Sequence, residues 1–87
     1  MATVILNHRV KDYATWRPLF DSDRARRDGA GIKEIAVGEK VGDPGNVYMI
    51  WEMADPSVIT KMMADPELQK TMEAGGVISI PEVIVIG

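Results

Sequence analysis

The sequence predicts an α+β domain: a four-stranded antiparallel sheet with two helical segments on one of its faces. Three observations carry this expectation. Segments of period two and period 3.6 alternate in the order β-α-β-β-α-β. Glycine and proline clusters at 42–46 and 75–76 punctuate them. The stretch Asn46-Val-Tyr-Met-Ile-Trp-Glu-Met53 is apolar on both sides of the strand it would form, with Val47, Met49, Trp51 and Met53 on one side and Tyr48, Ile50 and Glu52 on the other. One side needs the chain's own helices. The other needs a second cover.

In chain order, Thr3 to Val10 reads as the first strand, with Val4, Leu6, His8 and Val10 under the helices and Thr3, Ile5, Asn7 and Arg9 on the open face. Lys11 to Asp28 reads as a helix ended by Gly29 and Gly31. Its N-cap is Asp12 or Thr15. With Thr15, Pro18 falls at N3 and costs no intrahelical bond; with Asp12 it lies inside the helix and kinks it. Tyr13, Trp16, Leu19, Phe20, Asp23, Arg27 and Ala30 share one stripe, aromatic in its first half and charged in its second. Ile32 to Val41, with Ile35, Val37 and Val41 on one parity, reads as an exposed edge strand, bulged near Gly38, that forms a hairpin with 46–53. Asp55-Pro56 and Asp65-Pro66 each pair a capping residue with a proline at the first helical position, giving two short helices or one broken helix with Val58, Ile59, Met62, Met63, Leu68 and Met72 turned inward. Val77 to Ile86 is the last strand, interrupted at Pro81, which cannot join a central ladder. The right-handed crossover rule then centres the first and third strands, a ferredoxin-like arrangement. Its bare face holds Ile5, Tyr48, Ile50, Ile84 and Ile86, so a homodimer through that face is expected.

The 87 residues make one domain, 1–87, near the lower end of what buries an independent core, which gives a further reason for self-association. The absence of cysteine excludes disulfides, thiolate metal sites and cysteine nucleophiles. A net charge of −3, with only Arg24, Arg26 and Arg27 clustered, argues against nucleic acid. The chain opens directly on strand-like Ala-Thr-Val-Ile-Leu, without a charged leader, and no apolar run approaches the ~20 residues of a membrane helix. The expectation is a soluble, cytoplasmic protein with no membrane partner.

Val10-Lys11-Asp12-Tyr13, then Trp16, Phe20 and Asp21, the hairpin Asp43-Pro44-Gly45-Asn46-Val47, and Glu52 with Asp55 resemble small proteins of the dimeric α+β barrel superfamily, of the antibiotic-biosynthesis-monooxygenase-like and cyclase-like kind. The resemblance spans most of the chain. It implies two sheets packed face to face in a dimer, with pockets between helices and sheet. One branch of the superfamily degrades haem with a first-strand Asn, a Trp, and an iron-ligating His on the second helical segment. Asn7 and two tryptophans are present here, but no histidine lies between Pro56 and Gly76, so that ligation is not available.

His8, the only histidine, points between sheet and helices, where an imidazole titrating near neutrality serves as a general base or sits as a satisfied core residue. Asp23 and Arg27, four apart, either line a cavity with it or form a solvated pair on an overhanging helix end. Trp16, Phe20, Met49, Trp51 and Met62, with Met63 and Met72, make an aromatic and methionine-rich layer that suits a flat polycyclic ligand, or is plain core. Tyr13 is a hydrogen-bond donor near the mouth or a packing residue at the helix start. Two functions follow. The first is a cofactor-free, metal-free enzyme of monooxygenase- or cyclase-like type on an aromatic or polyketide-like molecule, with His8 as base, Arg27 as oxyanion partner, Tyr13 as donor, and Trp16, Phe20, Asp23, Met49, Trp51 and Met62 around the substrate. The second is a non-catalytic dimeric module that binds a hydrophobic small molecule or serves assembly. A closed, packed layer around His8 favours the second; a connected cavity of ~300 Å³ or more with convergent polar groups favours the first.

Overall fold

Alternation along the first strand is realised as predicted. In the computed structural model, which describes residues Met1–Gly87, β1 (Ala2–Arg9) buries Ala2, Val4, Leu6 and His8 and leaves Thr3, Ile5 and Asn7 half-covered on the opposite face. The chain continues through α1 (Tyr13–Ser22), α2 (Arg24–Gly29), β2 (Lys33–Glu39), β3 (Asn46–Met53), α3 (Ser57–Met63), α4 (Pro66–Ala74) and β4 (Glu82–Ile86). The sheet order is β2-β3-β1-β4, antiparallel throughout, with β1 and β3 central as the crossover rule requires. No helix is long and apolar enough to cross a membrane.

The register turns the two faces into rows. Under the helices run Val37–Met49–Leu6–Val83 and Glu34–Trp51–Val4–Val85. On the open face run Ala36–Ile50–Ile5–Ile84 in the centre, Lys33–Glu52–Thr3–Ile86 on one side and Gly38–Tyr48–Asn7–Glu82 on the other. The buried cluster of Val4, Leu6, Val10, Trp16, Ile32, Val47, Met49, Trp51, Met53 and Ile59 lies between the sheet and the helices.

Several boundaries differ from expectation. The helix expected over 11–28 is two, broken at Asp23, and its N-cap is Asp12, so Pro18 does lie inside α1. Asp12 spends its carboxylate on the Thr15 hydroxyl at 2.7 Å rather than on a backbone N–H. β2 is shorter than 32–41, and its irregularity falls between Glu34 and Ala36 rather than at Gly38. The extra residue there takes Ile35 out of the Val37 row, and Val41 is 98% exposed in the turn. At the second helical segment Asp65 caps α4, accepting from Glu67 N–H at 2.9 Å with Pro66 at N1; Asp55 likewise accepts from Ser57 N–H at 3.0 Å, although there Pro56 itself holds the cap position of α3. Only an isolated bridge, Val10 to Val77, precedes Pro81 on the last strand, which begins at Glu82.

The hairpin turn is pinned to the end of β1. Gly45 has φ +84°, and a Cβ there would stand 2.7 Å from the Val10 carbonyl oxygen, so both conformation and space demand glycine. Asn7 donates its amide to Asn46 Oδ1 and, at 2.9 Å, to the Val47 carbonyl, while Arg9 grips Asp43 through two bonds at 3.1 and 3.2 Å.

Candidate functional site

Parity and the break at Asp23 together build the site. His8 follows Val4 and Leu6 on the helix side of β1 and is 5% exposed. It sits at the strand end that β4 does not reach, opposite Val47. α1 lays its aromatic stripe across this position: Trp16 meets the imidazole edge to face, with centroids 5.3 Å apart and planes at 79°, and stacks on Phe20 at 4.7 Å. Because the helix restarts after Asp23, Arg27 folds back onto the same column. Its guanidinium carbon lies 3.7 Å from the Phe20 ring centroid, and its Nη1 donates to the Phe20 carbonyl at 2.9 Å. A cation thereby satisfies a carbonyl at the C-terminal end of α1, where the helix dipole also favours positive charge. His8, Trp16, Phe20 and Arg27 form one continuous column.

Arg27 is 4% exposed, so the charged end of the stripe reaches the interior rather than overhanging the sheet. Its ionic partner is not Asp23. Nη2 lies 3.7 Å from Glu34 on β2, while Asp23 pairs with Arg26 at 3.3 Å. The Asp23–Arg27 pair offered by the four-residue spacing does not form because the helix breaks at Asp23 itself, which takes that residue off the helical stripe. Arg24 in turn faces Asp28 at 3.8 Å, so each arginine of the basic cluster has a carboxylate nearby and no basic face results.

A cavity of about 70 Å³ opens within this layer. It is lined by eight of the nine residues singled out from sequence: His8, Trp16, Phe20, Asp23, Arg27, Met49, Trp51 and Met62. Tyr13 is the exception. It packs against Trp16 at 5.8 Å, two turns before Phe20, and its hydroxyl accepts from Arg17 at 3.2 Å, which places it on the shoulder of the site rather than in the cavity wall. Leu19, Leu68, Thr71 and Pro81 also line the space. Thr71 carried no signal, since its position on α4 follows only from how α4 crosses the sheet.

The chamber is mostly apolar, yet it concentrates unmet polar demand. Four buried side-chain polar atoms lack a hydrogen-bond partner, and three of them, His8 Nδ1, Arg27 Nη2 and Trp51 Nε1, belong to residues lining this cavity. An orphaned buried polar atom costs ~1–3 kcal/mol, and of these three only Arg27 Nη2 has a charged neighbour, Glu34 at 3.7 Å. Trp51 Nε1 and Arg27 Nη2 are obligate donors, each suited to an oxygen acceptor, and His8 Nδ1 donates or accepts by tautomer. Burial also holds the His8 pKa below its ordinary value near 6.5, its own backbone opposing, which leaves the imidazole neutral at pH 7. Arg27 is likewise lowered by burial, with Glu34 opposing, but an arginine keeps its charge. No group of three or more His, Asp or Glu side chains is arranged to hold a metal ion.

No protein-family model matches the sequence, and no curated protein matches it either. Solved structures do. A protein from Bordetella bronchiseptica, provisionally assigned as an antibiotic biosynthesis monooxygenase, superposes with TM-score 0.78 at 12% identity over 99% of this chain and 94% of its own. A crystal structure of an antibiotic biosynthesis monooxygenase matches with TM-score 0.67 at 17% identity, over 100% and 97% of the two chains. An uncharacterised NIPSNAP domain protein from Burkholderia xenovorans matches with TM-score 0.66 at 13% identity, over 100% and 93%. At these identities the likeness is one of architecture. The chain therefore has the ferredoxin-like α+β fold of the antibiotic-biosynthesis-monooxygenase-like proteins, over essentially its whole length.

Proposed function

We propose that this protein is a small enzyme of monooxygenase- or cyclase-like type that removes a proton from an acidic C–H or phenolic O–H of a hydrophobic, oxygen-bearing molecule. The observation that carries this reading is the buried, neutral His8 with an unpaired Nδ1 in a chamber shared with the Arg27 cation. His8 takes the proton; the electron pair left behind is delocalised onto an oxygen that Arg27 and the Trp51 N–H stabilise. The resulting enolate or phenolate then either adds to dioxygen, giving a peroxide that takes the proton back from His8 and loses water to leave a new C=O, or adds to a carbonyl carbon of the same molecule, whose oxygen takes that proton back. The reading invokes no cofactor, and Tyr13 has no part in it.

The test needs no knowledge of the natural substrate. Acetylacetone, a compact 1,3-diketone, exchanges its acidic C–H for deuterium in D2O, and NMR follows the rate. The protein is expected to accelerate exchange, with His8→Gln losing about 10²-fold or more of that acceleration and Arg27→Met also slowing it. Equal rates for the native chain and His8→Gln defeat the mechanism.

A specific observation favours a second reading, that of a non-catalytic binding module: the chamber, at about 70 Å³, is well below the ~300–1,000 Å³ of pockets that enclose drug-sized ligands. In either reading a second copy of the chain covers the open sheet face. What supports this is the anatomy of that face, in which the apolar row Ala36–Ile50–Ile5–Ile84 lies between rows containing Lys33, Glu52 and Thr3 on one side and Asn7 and Glu82 on the other. A greasy centre with a polar rim is how association surfaces are built.

A further inference from the structure

Two cavities lie side by side on the helix-covered side of the sheet. Beyond the chamber is an open cleft of about 440 Å³, walled by α3, α4 and the segment 77–81. Met62, Met63, Met72 and Pro81 line both spaces. The shared wall therefore consists of three unbranched thioether side chains and one ring. None of the methionines is fully buried, and each has three rotatable bonds, so a passage between the two spaces needs only rotamer changes.

The far wall of the cleft is unusual. The segment 77–81 is not a strand, yet it is held in place: Ile78 N–H donates to the Arg9 carbonyl at 2.8 Å, and Arg9 N–H donates to Ser79 Oγ at 2.8 Å. This tether holds Ile78 and Ile80 on the cleft, and Ile80 is 93% exposed. Two large aliphatic side chains are thus kept in water on a fixed backbone beside a methionine wall. The chamber is too small for a ring system or acyl chain of any length, while two of its lining residues, Arg27 and Trp51, each carry a buried N–H without an acceptor.

We propose that chamber and cleft are the two halves of one binding site for an amphiphile. An oxygen-acceptor head enters the chamber toward Arg27 and Trp51, and the apolar body passes the methionines to lie against Ile78 and Ile80. The inference rests on the chamber being the site of chemistry or binding, and it names the shape and polarity of what enters.

Straight-chain carboxylates of four to ten carbons are the probe, titrated into the full-length protein with isotope-labelled Trp indole, Met methyl and Ile methyl groups. Every member is expected to shift the Trp51 indole resonance. Affinity is expected to rise by up to about fourfold per added methylene, with Ile80 shifting only for the longer chains. Ile80→Ser, at an exposed position that the fold does not need, should weaken the longest chain by about tenfold and leave the shortest unchanged. Trp51 shifts with no dependence on chain length overturn the bipartite site and leave the chamber intact as a site. Length dependence with Ile80 shifts but none at Trp51 overturns it from the other side, as a cleft acting alone. Binding at no length removes both the inference and the reading beneath it.

Discussion

Leu6 and Ile5 are adjacent in sequence, similar in size and on the same central strand, yet Leu6 is 1% exposed whereas Ile5 is half-covered, beside a cross-strand partner, Ile84, that is 46% exposed. The rows they belong to are about equally apolar: Val37–Met49–Leu6–Val83 on one side, Ala36–Ile50–Ile5–Ile84 on the other. What separates the faces is their cover. On one, the chain supplies Trp16, Phe20, Ile59 and Leu68 from its own helices. On the other it supplies nothing, and a 9.6 kDa protein leaves an apolar row in water. Hydropathy thus reports how much cover a strand needs. It does not say where the cover comes from.

The sharpest contrast is a pair of truncations. Leu6→Ala should cost about 2–5 kcal/mol in denaturant unfolding, because the helices above it cannot collapse fully into the space. Ile5→Ala should cost a dilute monomer clearly less, since much of its surface is already hydrated. If a second copy covers the open face, the Ile5→Ala penalty grows with protein concentration while that of Leu6→Ala does not. Equal, concentration-independent costs at the two positions would erase the distinction between the faces.

The same contrast explains what the sequence made legible. Period-two alternation identified both faces of β1 and β3, and the Asp-Pro signal at 65–66 placed the start of α4, because these are local properties of backbone and side chain. Five of the expected site residues reached the cavity for the same reason: strand parity (His8, Met49, Trp51) and the first half of a helical stripe (Trp16, Phe20) fix direction without knowledge of the rest of the fold. The failures are tertiary. The pairing of Arg27 with Glu34 rather than Asp23 depends on where a helix breaks and which strand lies beneath it. Ile35 left its row because one extra residue between Glu34 and Ala36 reverses parity, and nothing in Lys-Glu-Ile-Ala-Val marks that position. Tyr13 shares a stripe with Trp16 but sits a turn too early, where Arg17 holds its hydroxyl.

A charge placed in the open row tests the next level. Ile50→Lys should leave the single chain folded, since the side chain reaches water, and should abolish association that depends on this face, at about 1.5–3 kcal/mol for each large apolar side chain no longer buried. Sedimentation at micromolar concentration reads the result directly. A native chain that runs as a monomer throughout would mean that nothing covers the open row.

On the covered face the test is pH. Burial places the folded-state pKa of His8 below the value of about 6.5 expected for the unfolded chain. Between the two values the unfolded chain binds a proton that the folded one does not, so stability falls as pH drops through 6.5 and stops falling, for this group, below the folded pKa. The slope is at most about 1.4 kcal/mol per pH unit. His8→Gln should flatten this part of the profile as pH falls below 7. Parallel profiles for the two proteins would mean that His8 is as easily protonated inside as outside.

The last contrast bears on how far the covered face extends. Val4 and Val85 are register partners in the same row, but Val4 is fully buried and Val85 is 49% exposed, so the helices roof the central strands and stop short of β4. A hydroxyl in place of a methyl is costly only where water is absent. Val4→Thr should therefore lose about 1–3 kcal/mol from a buried hydroxyl without a partner, while Val85→Thr should lose less than about 0.5 kcal/mol, with threonine as good a strand former as valine. If Val85→Thr costs as much as Val4→Thr, β4 is covered on its helix side by something outside this chain. The uncovered surface would then run from the open face around the edge of the sheet, and a second copy would have to grip that edge as well as stack on the face.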